Sequence, residues 1–372
     1  MTTRDERASG AATALVLDAP RQLTRRTFAI PRVGVDDAVL RVEACGLCGT
    51  DHELFTGTIH WPAGFIPGHE TVGVIEAIGE RAATRWGVAA GERVAVGNRR
   101  ACRECTRCMS GDLAGCERFG SEKSYGMYTA SEPPGLWGGY ATHHYLAPES
   151  VVHPVPAGID PVVATMFNPL AAGLHWAVAT PALQPGEVVA VLGPGVRGIA
   201  AAVAAKAAGA STVLVTGFGP RDLPRLHAAQ ELGADIVVDV ASNDPIDALR
   251  SHAGRLADVV VDVTARSGDA FGQALELAAP RARVVCAGVR GNGVTATFEP
   301  DIISMRELQL IGVRGVSSQS QHAAVDLIAS GRFPFERLPR RTAGFDDIGE
   351  LLSTMAGEGD GDLPLHAVFV PR

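Results

Sequence analysis

The stretch GEVVAVLGPGVRGIAAAVAAKAAGA, residues 186–210, constrains the fold more than any other part of the chain. It joins a continuous apolar run to a long alanine-rich segment through a glycine turn. Such a run predicts a strand that is buried on both faces, as in a parallel sheet. Because strands and helices then alternate, we predict a doubly wound parallel sheet with helices on both faces. The further apolar runs are STVLVTG, ADIVVDV, ADVVVDVTA and ARVVCAGV.

The glycine turn has the spacing G-x-G-x-x-G between a predicted strand and a predicted helix. This spacing permits a tight turn and a close approach of a pyrophosphate to the backbone, while the helix N-terminus supplies amide donors. A glycine-rich packing turn without a ligand is the alternative. In this context we predict a dinucleotide site, and the candidate residues at the turn are Gly193, Gly195, Val196 and Gly198.

The adenosine end of this predicted site has an unusual composition. An acidic residue that holds the ribose is expected about 20 residues after the turn, but that position is Gly217. Asp222 follows a little later, next to Arg221, and could hold the ribose of NAD, whereas an arginine could hold the 2′-phosphate of NADP. The choice of cofactor stays open, and we predict that Gly217 admits both. Val289, after the last apolar run, is a further candidate cofactor-binding residue.

The chain of 372 residues is long enough for two domains. Short apolar stretches punctuated by glycine and proline predict a mostly antiparallel β domain over residues 1–164. The α/β domain is predicted over residues 165–314. Since the chain ends in the strand-like HAVFVP, we expect residues 315–372 to return to the first domain.

Charge and hydropathy exclude several classes of partner. A net charge of −8 and a pI near 5.8 argue against nucleic acid and anionic membranes. The sequence contains no run of about 18 uninterrupted apolar residues, and its polar start, MTTRDERASGAA, does not resemble a signal peptide. We therefore expect a cytoplasmic protein with a small-molecule partner.

Four of the seven cysteines lie in CRECTRCMSGDLAGC, within a lobe over residues 98–118. In a reducing compartment this clustering favours a metal over disulfides. Four thiolates in one short loop suit a closed tetrahedral zinc site, and an Fe–S cluster is the alternative. A closed shell has no open position for a substrate, so this zinc is predicted to be structural. Its predicted ligands are Cys102, Cys105, Cys108 and Cys116.

A second polar cluster, VEACGLCGTDHE at residues 42–53, contains Cys45 and Cys48. Their Cys-x-x-Cys spacing suits a thioredoxin-like dithiol or half of a zinc knuckle. The motif PGHETVG follows and offers His69 and Glu70 as residues that could complete a site.

The motifs GLCGTD and GHETVGVIEAIG, the four-cysteine lobe and GPGVRG occur in the order seen in zinc-containing medium-chain alcohol and polyol dehydrogenases. The chain resembles this family from Thr13 to Pro371. The resemblance implies a Rossmann-type domain and a mostly β, GroES-like catalytic domain. It also implies NAD or NADP, one catalytic and one structural zinc, and a homodimer or homotetramer. The implied reaction is hydride transfer between the cofactor and a secondary alcohol or polyol, or the corresponding ketone.

The resemblance also implies roles for individual residues. Cys48 and His69 are the implied catalytic zinc ligands, and Cys45 becomes a small buried hydrophobic residue. Thr50 matches the hydroxyl that bonds the substrate alcohol and begins proton removal. Asp51 matches the carboxylate that orients the ligand histidine.

Two departures from the family pattern concern proton transfer and the third zinc ligand. Relatives commonly carry a histidine at the position of Glu53, whereas here it is one place earlier, at His52. Either residue, or water alone, would relay the proton, and His52 could also be a plain surface or capping residue. The third ligand position, usually cysteine, aspartate or glutamate, is Asn168. We expect Glu70 to bind zinc in part of the population, with Asn168 nearby or bonded to the zinc-bound water.

Three other functions are compatible with parts of this pattern. A zinc-free enone or quinone reductase of the same superfamily is disfavoured by Cys48 and His69. A non-catalytic binding protein on this fold is suggested by Asn168. A zinc-ribbon interaction module is disfavoured by the acidic charge.

Overall fold

The computed structural model describes residues 10–120, 123–265, 268–291, 293–358 and 363–372. The chain divides into two compact units. The first unit comprises Met1–Asn168 and Pro339–Arg372, and the second unit comprises Pro169–Leu338.

The strands of the described residues are numbered in chain order. They are β1 (Ala11–Ala19), β2 (Gln22–Ala29), β3 (Ala38–Leu47), β4 (Glu70–Ile78), β5 (Arg93–Val96), β6 (His143–Leu146), β7 (Val152–Pro154), β8 (Val188–Leu192), β9 (Thr212–Gly217), β10 (Ile236–Asp239), β11 (Ala257–Asp262), β12 (Ala278–Cys286), β13 (Gln309–Gly312), β14 (Arg340–Ala343) and β15 (His366–Phe369).

The helices are numbered in the same way. They are α1 (Gly49–Thr56), α2 (Glu80–Trp86), α3 (Thr106–Met109), α4 (Pro161–Ala164), α5 (Phe167–Gly173), α6 (Val196–Ala207), α7 (Leu223–Glu231), α8 (Pro245–Ala253), α9 (Asp269–Leu277), α10 (Asp301–Met305), α11 (Ser318–Ala329) and α12 (Ile348–Met355). A π-helix covers Leu174–Ala179, and short 3₁₀ turns cover Pro220–Asp222 and Phe335–Arg337.

The first unit is built on a seven-stranded sheet in the order β14-β15-β3-β4-β5-β7, with β6 also paired to β3. The long central strand β3 is antiparallel to β4 and to β15. The last strand pairs Phe369 with Cys45, so the terminal HAVFVP segment lies in the first unit. A buried apolar cluster that includes Leu54 and Leu351 lies between the sheet and helices α1 and α12. This packing fixes the end of β3, where Cys48 follows.

The second unit contains a six-stranded parallel sheet in the order β10-β9-β8-β11-β12-β13. Every residue of β8 is buried, which explains its uninterrupted apolar sequence. This order reverses between β8 and β11, and ligands of such sheets bind at that point, beyond the carboxyl ends of the strands. The predicted fold class, a doubly wound sheet with a mostly β domain, is confirmed.

The predicted boundary at residues 314/315 differs from the structure, in which the second unit continues to Leu338. Helix α11 buries Ala324, Val325 and Ile328, and Trp176 Nε1 donates a hydrogen bond to the Gly315 carbonyl at 2.9 Å. Residues 315–338 are therefore held by the second unit, and the return to the first unit begins later than expected. The first boundary lies after Asn168 instead of residue 164.

One stretch of the described residues, Pro161–Ala179, is long and apolar enough by length and composition to cross a membrane. Its hydrophobic window is 67% buried inside the protein, as is typical of a core helix. The stretch comprises α4, α5 and the π-helix. It is interrupted by polar residues such as Thr165 and Asn168, which is why no continuous apolar run is visible in the sequence.

Candidate active site

The first unit places Cys48 between the end of β3 and the start of α1. Its backbone N–H donates a hydrogen bond to Asp51 Oδ2 at 2.9 Å, so the aspartate fixes the first turn of the helix. Cys48 and Asp51 are both buried. The short GTD sequence after Cys48 therefore begins the helix and places a carboxylate beneath the thiol.

Cys48, Asp51 and His69 form the centre of the site. The distance from Cys48 Sγ to His69 Nε2 is 3.2 Å, and that from Asp51 Oδ1 to His69 Nδ1 is 3.7 Å. One ligand atom of each residue lies within 4.8 Å of the others. Because Asp51 faces Nδ1, the imidazole presents Nε2 beside the sulfur, which is the arrangement expected of a metal-ligating histidine with an orienting carboxylate.

The electrostatics of this cluster fit a cation. Burial lowers the pKa of His69, but the charges of Cys48 and Asp51 outweigh burial and raise that pKa to about 10. A thiol, an imidazole and a carboxylate buried together favour a positive charge between them, and Zn²⁺ with thiolate and imidazole ligands supplies one. The donor set therefore fits zinc.

Glu70 and Asn168 lie next to this centre and bond to each other. Asn168 Nδ2 donates to Glu70 Oε1 at 2.6 Å, and both side chains are buried. Asn168 Oδ1 is buried without a hydrogen-bond partner among the residues that the structure describes. Within the same residues, the cluster of ligand atoms contains Cys48, Asp51 and His69 without Glu70. Zinc binding by Glu70 or Asn168 stays a prediction.

Gly46 makes room for Glu70, a role that the sequence reasoning missed. A Cβ on Gly46 would lie 2.6 Å from Glu70 Oε2 and 3.4 Å from Thr165 Cβ. Gly46 and Glu70 are also partners in the β3–β4 register. A side chain at this position would displace the carboxylate from its place against β3, and the glycine within ACGLCG was the signal available in the sequence.

Tyr140 is a second residue near the site that the sequence reasoning missed. It is fully buried, and its hydroxyl has no hydrogen-bond partner within the described ranges. Burial and the charges of Asp51 and Cys45 raise the pKa of Tyr140. Its ring lies against Gly68, the residue before His69, because a Cβ on that glycine would be 2.6 Å from Tyr140 Cδ1. The ring therefore limits where the His69 backbone can move.

The predicted proton-transfer residues lie on α1. Thr50, His52 and Glu53 are half-buried there, within the first two turns after Cys48. Their roles stay predictions.

The four-cysteine lobe forms a second cluster, in which the sulfur atoms of Cys102, Cys105, Cys108 and Cys116 lie within 4.8 Å of one another. The Cys102 amide donates to Cys116 Sγ and the Cys105 amide donates to Cys102 Sγ, each at 3.4 Å. Backbone amides of this kind lower the pKa of Cys102 and Cys105, whereas burial raises that of Cys108 to about 12. Four convergent sulfurs with amide donors fit a tetrahedral metal.

The glycine turn of the second unit has the geometry that a dinucleotide site requires. Gly193 follows β8 with φ of 102°, a conformation that favours glycine. A Cβ on Gly198 would overlap the Gly193 carbonyl, so this position also requires glycine. Gly195 is the N-cap of α6, and a Cβ there would meet nothing within 4 Å. The backbone turn is therefore compact, with open space at the helix start.

At the end of β9, the Gly217 position is filled by its neighbours. A Cβ there would lie 2.9 Å from Asp222 Cβ and 3.0 Å from Pro194 Cγ. The Asp222 carboxylate accepts hydrogen bonds from the Phe218 amide at 3.0 Å and from Arg225 at 3.3 Å. Asp222 thus places a carboxylate next to Gly217, the position at which an acidic ribose-binding residue is expected.

The other two predicted cofactor residues are exposed in the second unit. Arg221 lies in the 3₁₀ turn before α7, and Val289 follows β12 with 82% of its surface exposed. Both lie beyond the carboxyl ends of strands of the parallel sheet, where ligands of such sheets bind.

Comparisons with known proteins agree with this geometry. Residues 34–157 match the alcohol dehydrogenase GroES-like domain, and residues 197–330 match the zinc-binding dehydrogenase domain. A protein named "Probable alcohol dehydrogenase adh" from Mycobacterium tuberculosis is 54% identical over 359 residues, which cover 96% of this chain and 98% of that protein. The erythritol/L-threitol dehydrogenase of Mycolicibacterium smegmatis is 30% identical over 337 residues, 87% of this chain and 89% of that protein.

Solved structures have a similar fold over nearly the whole length of this chain. A zinc-binding dehydrogenase from Sinorhizobium meliloti 1021 bound to NADP has a TM-score of 0.83 and 27% identity, over 98% of this chain and 100% of that one. The motif order, the two sheets and these matches together confirm the predicted family and enzyme class: the chain belongs to the zinc-containing medium-chain alcohol dehydrogenases.

Proposed function

We propose that the enzyme oxidises a secondary alcohol or polyol, or reduces the corresponding ketone, with NAD or NADP as the hydride carrier. The observation that carries this proposal is the buried cluster of Cys48, Asp51 and His69, with the thiol sulfur 3.2 Å from Nε2 of the imidazole. The Gly193–Gly198 turn supplies the matching dinucleotide site in the second unit.

Cys48 Sγ and His69 Nε2 would hold the catalytic zinc, and Asp51 would keep the imidazole in the correct orientation. When bound, zinc polarises the alcohol oxygen and lowers its pKa. The Thr50 hydroxyl would take the proton of the alcohol while it gives up its own proton, which His52, Glu53 or water alone would pass to solvent. The cofactor supplies the hydride chemistry, while the protein supplies positioning.

Glu70 is the proposed third zinc ligand in part of the population. Zinc with the Cys48 thiolate and neutral His69 and Asn168 would carry a net charge of about +1, and the Glu70 carboxylate would neutralise it. The Asn168 amide holds Glu70 at 2.6 Å and leaves Oδ1 as an acceptor. This acceptor would take a hydrogen bond from a water molecule at the site.

The adenosine end is proposed to accept both cofactors. Asp222 can bond the ribose hydroxyl of NAD, but Arg225 lies 3.3 Å from its carboxylate and partly compensates its charge. Arg221, on the neighbouring turn, would bind a 2′-phosphate. A carboxylate with a paired arginine repels that phosphate less than an unpaired one does.

A second copy of the chain is the proposed partner of the second unit. Strand β13 ends the six-stranded sheet, and Met305 and Leu310 nearby are 82% and 41% exposed. An exposed strand edge with apolar neighbours suits pairing with the same edge of another copy. Size-exclusion chromatography with light scattering tests for a dimer or tetramer.

The seven free cysteines support a cytoplasmic location.

The test of the proposed function is metal analysis combined with a nicotinamide absorbance assay on secondary alcohols and polyols. We expect about two zinc ions per chain and turnover with at least one cofactor. A protein that binds cofactor but turns over no alcohol or ketone would instead be a non-catalytic binding protein. Turnover of enones by a protein without catalytic zinc would indicate the zinc-free reductase.

A further inference from the structure

A positive charge lies at the start of α6, and none of the acidic residues that the structure describes forms an ion pair with it. Arg197 occupies the first turn of this helix, between Gly195 and Gly198 of the glycine turn. Its guanidinium lies over the Trp176 ring, 5.4 Å from the ring centroid. Among the residues that the structure describes, Arg197 forms no ion pair or hydrogen bond through this group.

This position is locally unfavourable for a cation. The N-terminus of a helix carries a partial positive charge, so an arginine in the first turn opposes the helix dipole. The first turn of α6 contains no acidic residue, and its N-cap, Gly195, contributes no side-chain hydrogen bond. The N-cap therefore supplies no side-chain acceptor to the first amides of the helix. An anion bound here would satisfy both the amides and the guanidinium.

The Trp176 ring holds the guanidinium in place. Trp176 is 4% exposed and donates a hydrogen bond through Nε1 to the Gly315 carbonyl at 2.9 Å. The helix that carries Trp176 packs directly on α6, because a Cβ on Gly173 would overlap the Ala200 carbonyl. The arginine thus rests on a fixed aromatic surface next to the open space at Gly195.

We propose that Arg197 binds the pyrophosphate of the dinucleotide together with the amides of α6. This inference rests on the proposed function, because it requires a dinucleotide in the second unit. A guanidinium matches two phosphate oxygens in a bidentate geometry. Hydride transfer leaves the pyrophosphate unchanged, so Arg197 contributes equally to the binding of the oxidised and the reduced cofactor.

The test is calorimetric titration with ADP-ribose, NAD and NADH. ADP-ribose carries the pyrophosphate without the nicotinamide, so it isolates the proposed contact. Arg197→Met should weaken the binding of all three ligands by about tenfold or more, with Arg197→Lys in between. Arg250→Met, which removes an exposed arginine from α8, is the matched control and should bind like the parent. Salt should weaken ADP-ribose binding more steeply in the parent than in Arg197→Met.

Two results would overturn the inference while the proposed function stands. If folded Arg197→Met and Arg197→Lys bind ADP-ribose within about twofold of the parent, Arg197 only packs on Trp176. If the loss affects NAD and NADH but not ADP-ribose, Arg197 acts on the nicotinamide half. A parent protein that binds none of the three ligands contradicts the proposed function itself. Circular dichroism of each variant verifies its fold.

Discussion

Asn168 and Glu70, separated by 98 residues in the chain, are joined by a hydrogen bond of 2.6 Å in the interior of the first unit. The amide donates to a carboxylate whose other oxygen lies against Gly46. This pair holds Glu70 beside the Cys48–His69 centre. It gives Asn168 a role that does not require the amide to be a zinc ligand.

Replacing Asn168 by aspartate should lower the stability of the metal-free protein and raise its affinity for zinc. Two carboxylates would then face each other in a buried place, which destabilises the metal-free protein. Zinc would relieve this repulsion, so Asn168→Asp should retain zinc longer during mild chelation. The measurements are the melting temperature after metal removal and the zinc content during chelation. Faster zinc loss from Asn168→Asp than from the parent would contradict this role.

Cys105→Ser should reduce stability without a specific effect on chemistry. The four-sulfur cluster has no open position, and removing one ligand would leave the lobe without its metal. We expect a decrease in melting temperature of about 5 °C or more, since about 2 kcal/mol shifts the midpoint by that amount in a domain of this size. A normally stable variant with lost turnover would show that this cluster is catalytic.

The Asp222–Arg225 pair should allow both cofactors. We expect the NAD and NADP values of kcat/KM to differ by less than about a thousandfold, or roughly 4 kcal/mol. Asp222→Asn should move the preference towards NADP, because it removes the carboxylate near the 2′-position. Steady-state kinetics with both cofactors test this. A larger preference for NAD would mean that Asp222 alone determines the specificity.

His144 should make the first unit sensitive to acid. It is fully buried, and neither ring nitrogen has a hydrogen-bond partner in the described part of the chain, so burial lowers its pKa from 6.5 to about 3. The unfolded chain takes up this proton near pH 6.5 and the folded chain does not. Neutral His144 therefore makes its full contribution to the free energy of unfolding above pH 6.5, and this contribution is lost as the pH falls towards 3.

Because only the unfolded chain takes up this proton, the free energy of unfolding should fall by about 2 kcal/mol between neutral pH and pH 5. Urea unfolding of the parent and of His144→Phe at pH 7.5 and pH 5 measures it. Phenylalanine preserves the edge contact with Tyr125. Buried His366, whose pKa is also about 3, is retained in both proteins and contributes equally. An identical pH dependence in the two proteins would contradict this explanation.

Features whose residues are close in the sequence could be predicted, and those formed by distant residues could not. The Gly193–Gly198 turn and the Cys102–Cys116 lobe each lie within a short segment, and their spacing is part of their chemistry. The Asn168–Glu70 bond and the space at Gly46 depend on the register of β3 with β4 and on the position of α5. No local pattern encodes them.

The positions of helix α11 and of the neighbours of Gly217 also depend on residues that are distant in the sequence. The apolar face of α11 would suit a core in either unit, and only tertiary contacts such as that of Trp176 with Gly315 assign it to the second. Gly217 suggests an open pocket in the sequence, whereas the fold brings Asp222 into that space. In both cases packing between distant elements decides the outcome.

Cys48, His69 and Glu70 are proposed to hold the catalytic zinc, and the zinc content of Glu70→Gln tests this ligand set. Glutamine keeps the size of the side chain and removes its charge. We predict that Glu70→Gln retains about one zinc per chain, in the Cys102–Cys116 lobe, and loses turnover. Glu80→Gln, an exposed control on α2, should retain about two. If Glu70→Gln retains two zinc ions per chain with unchanged turnover, Glu70 is not a ligand and this account of the site is wrong.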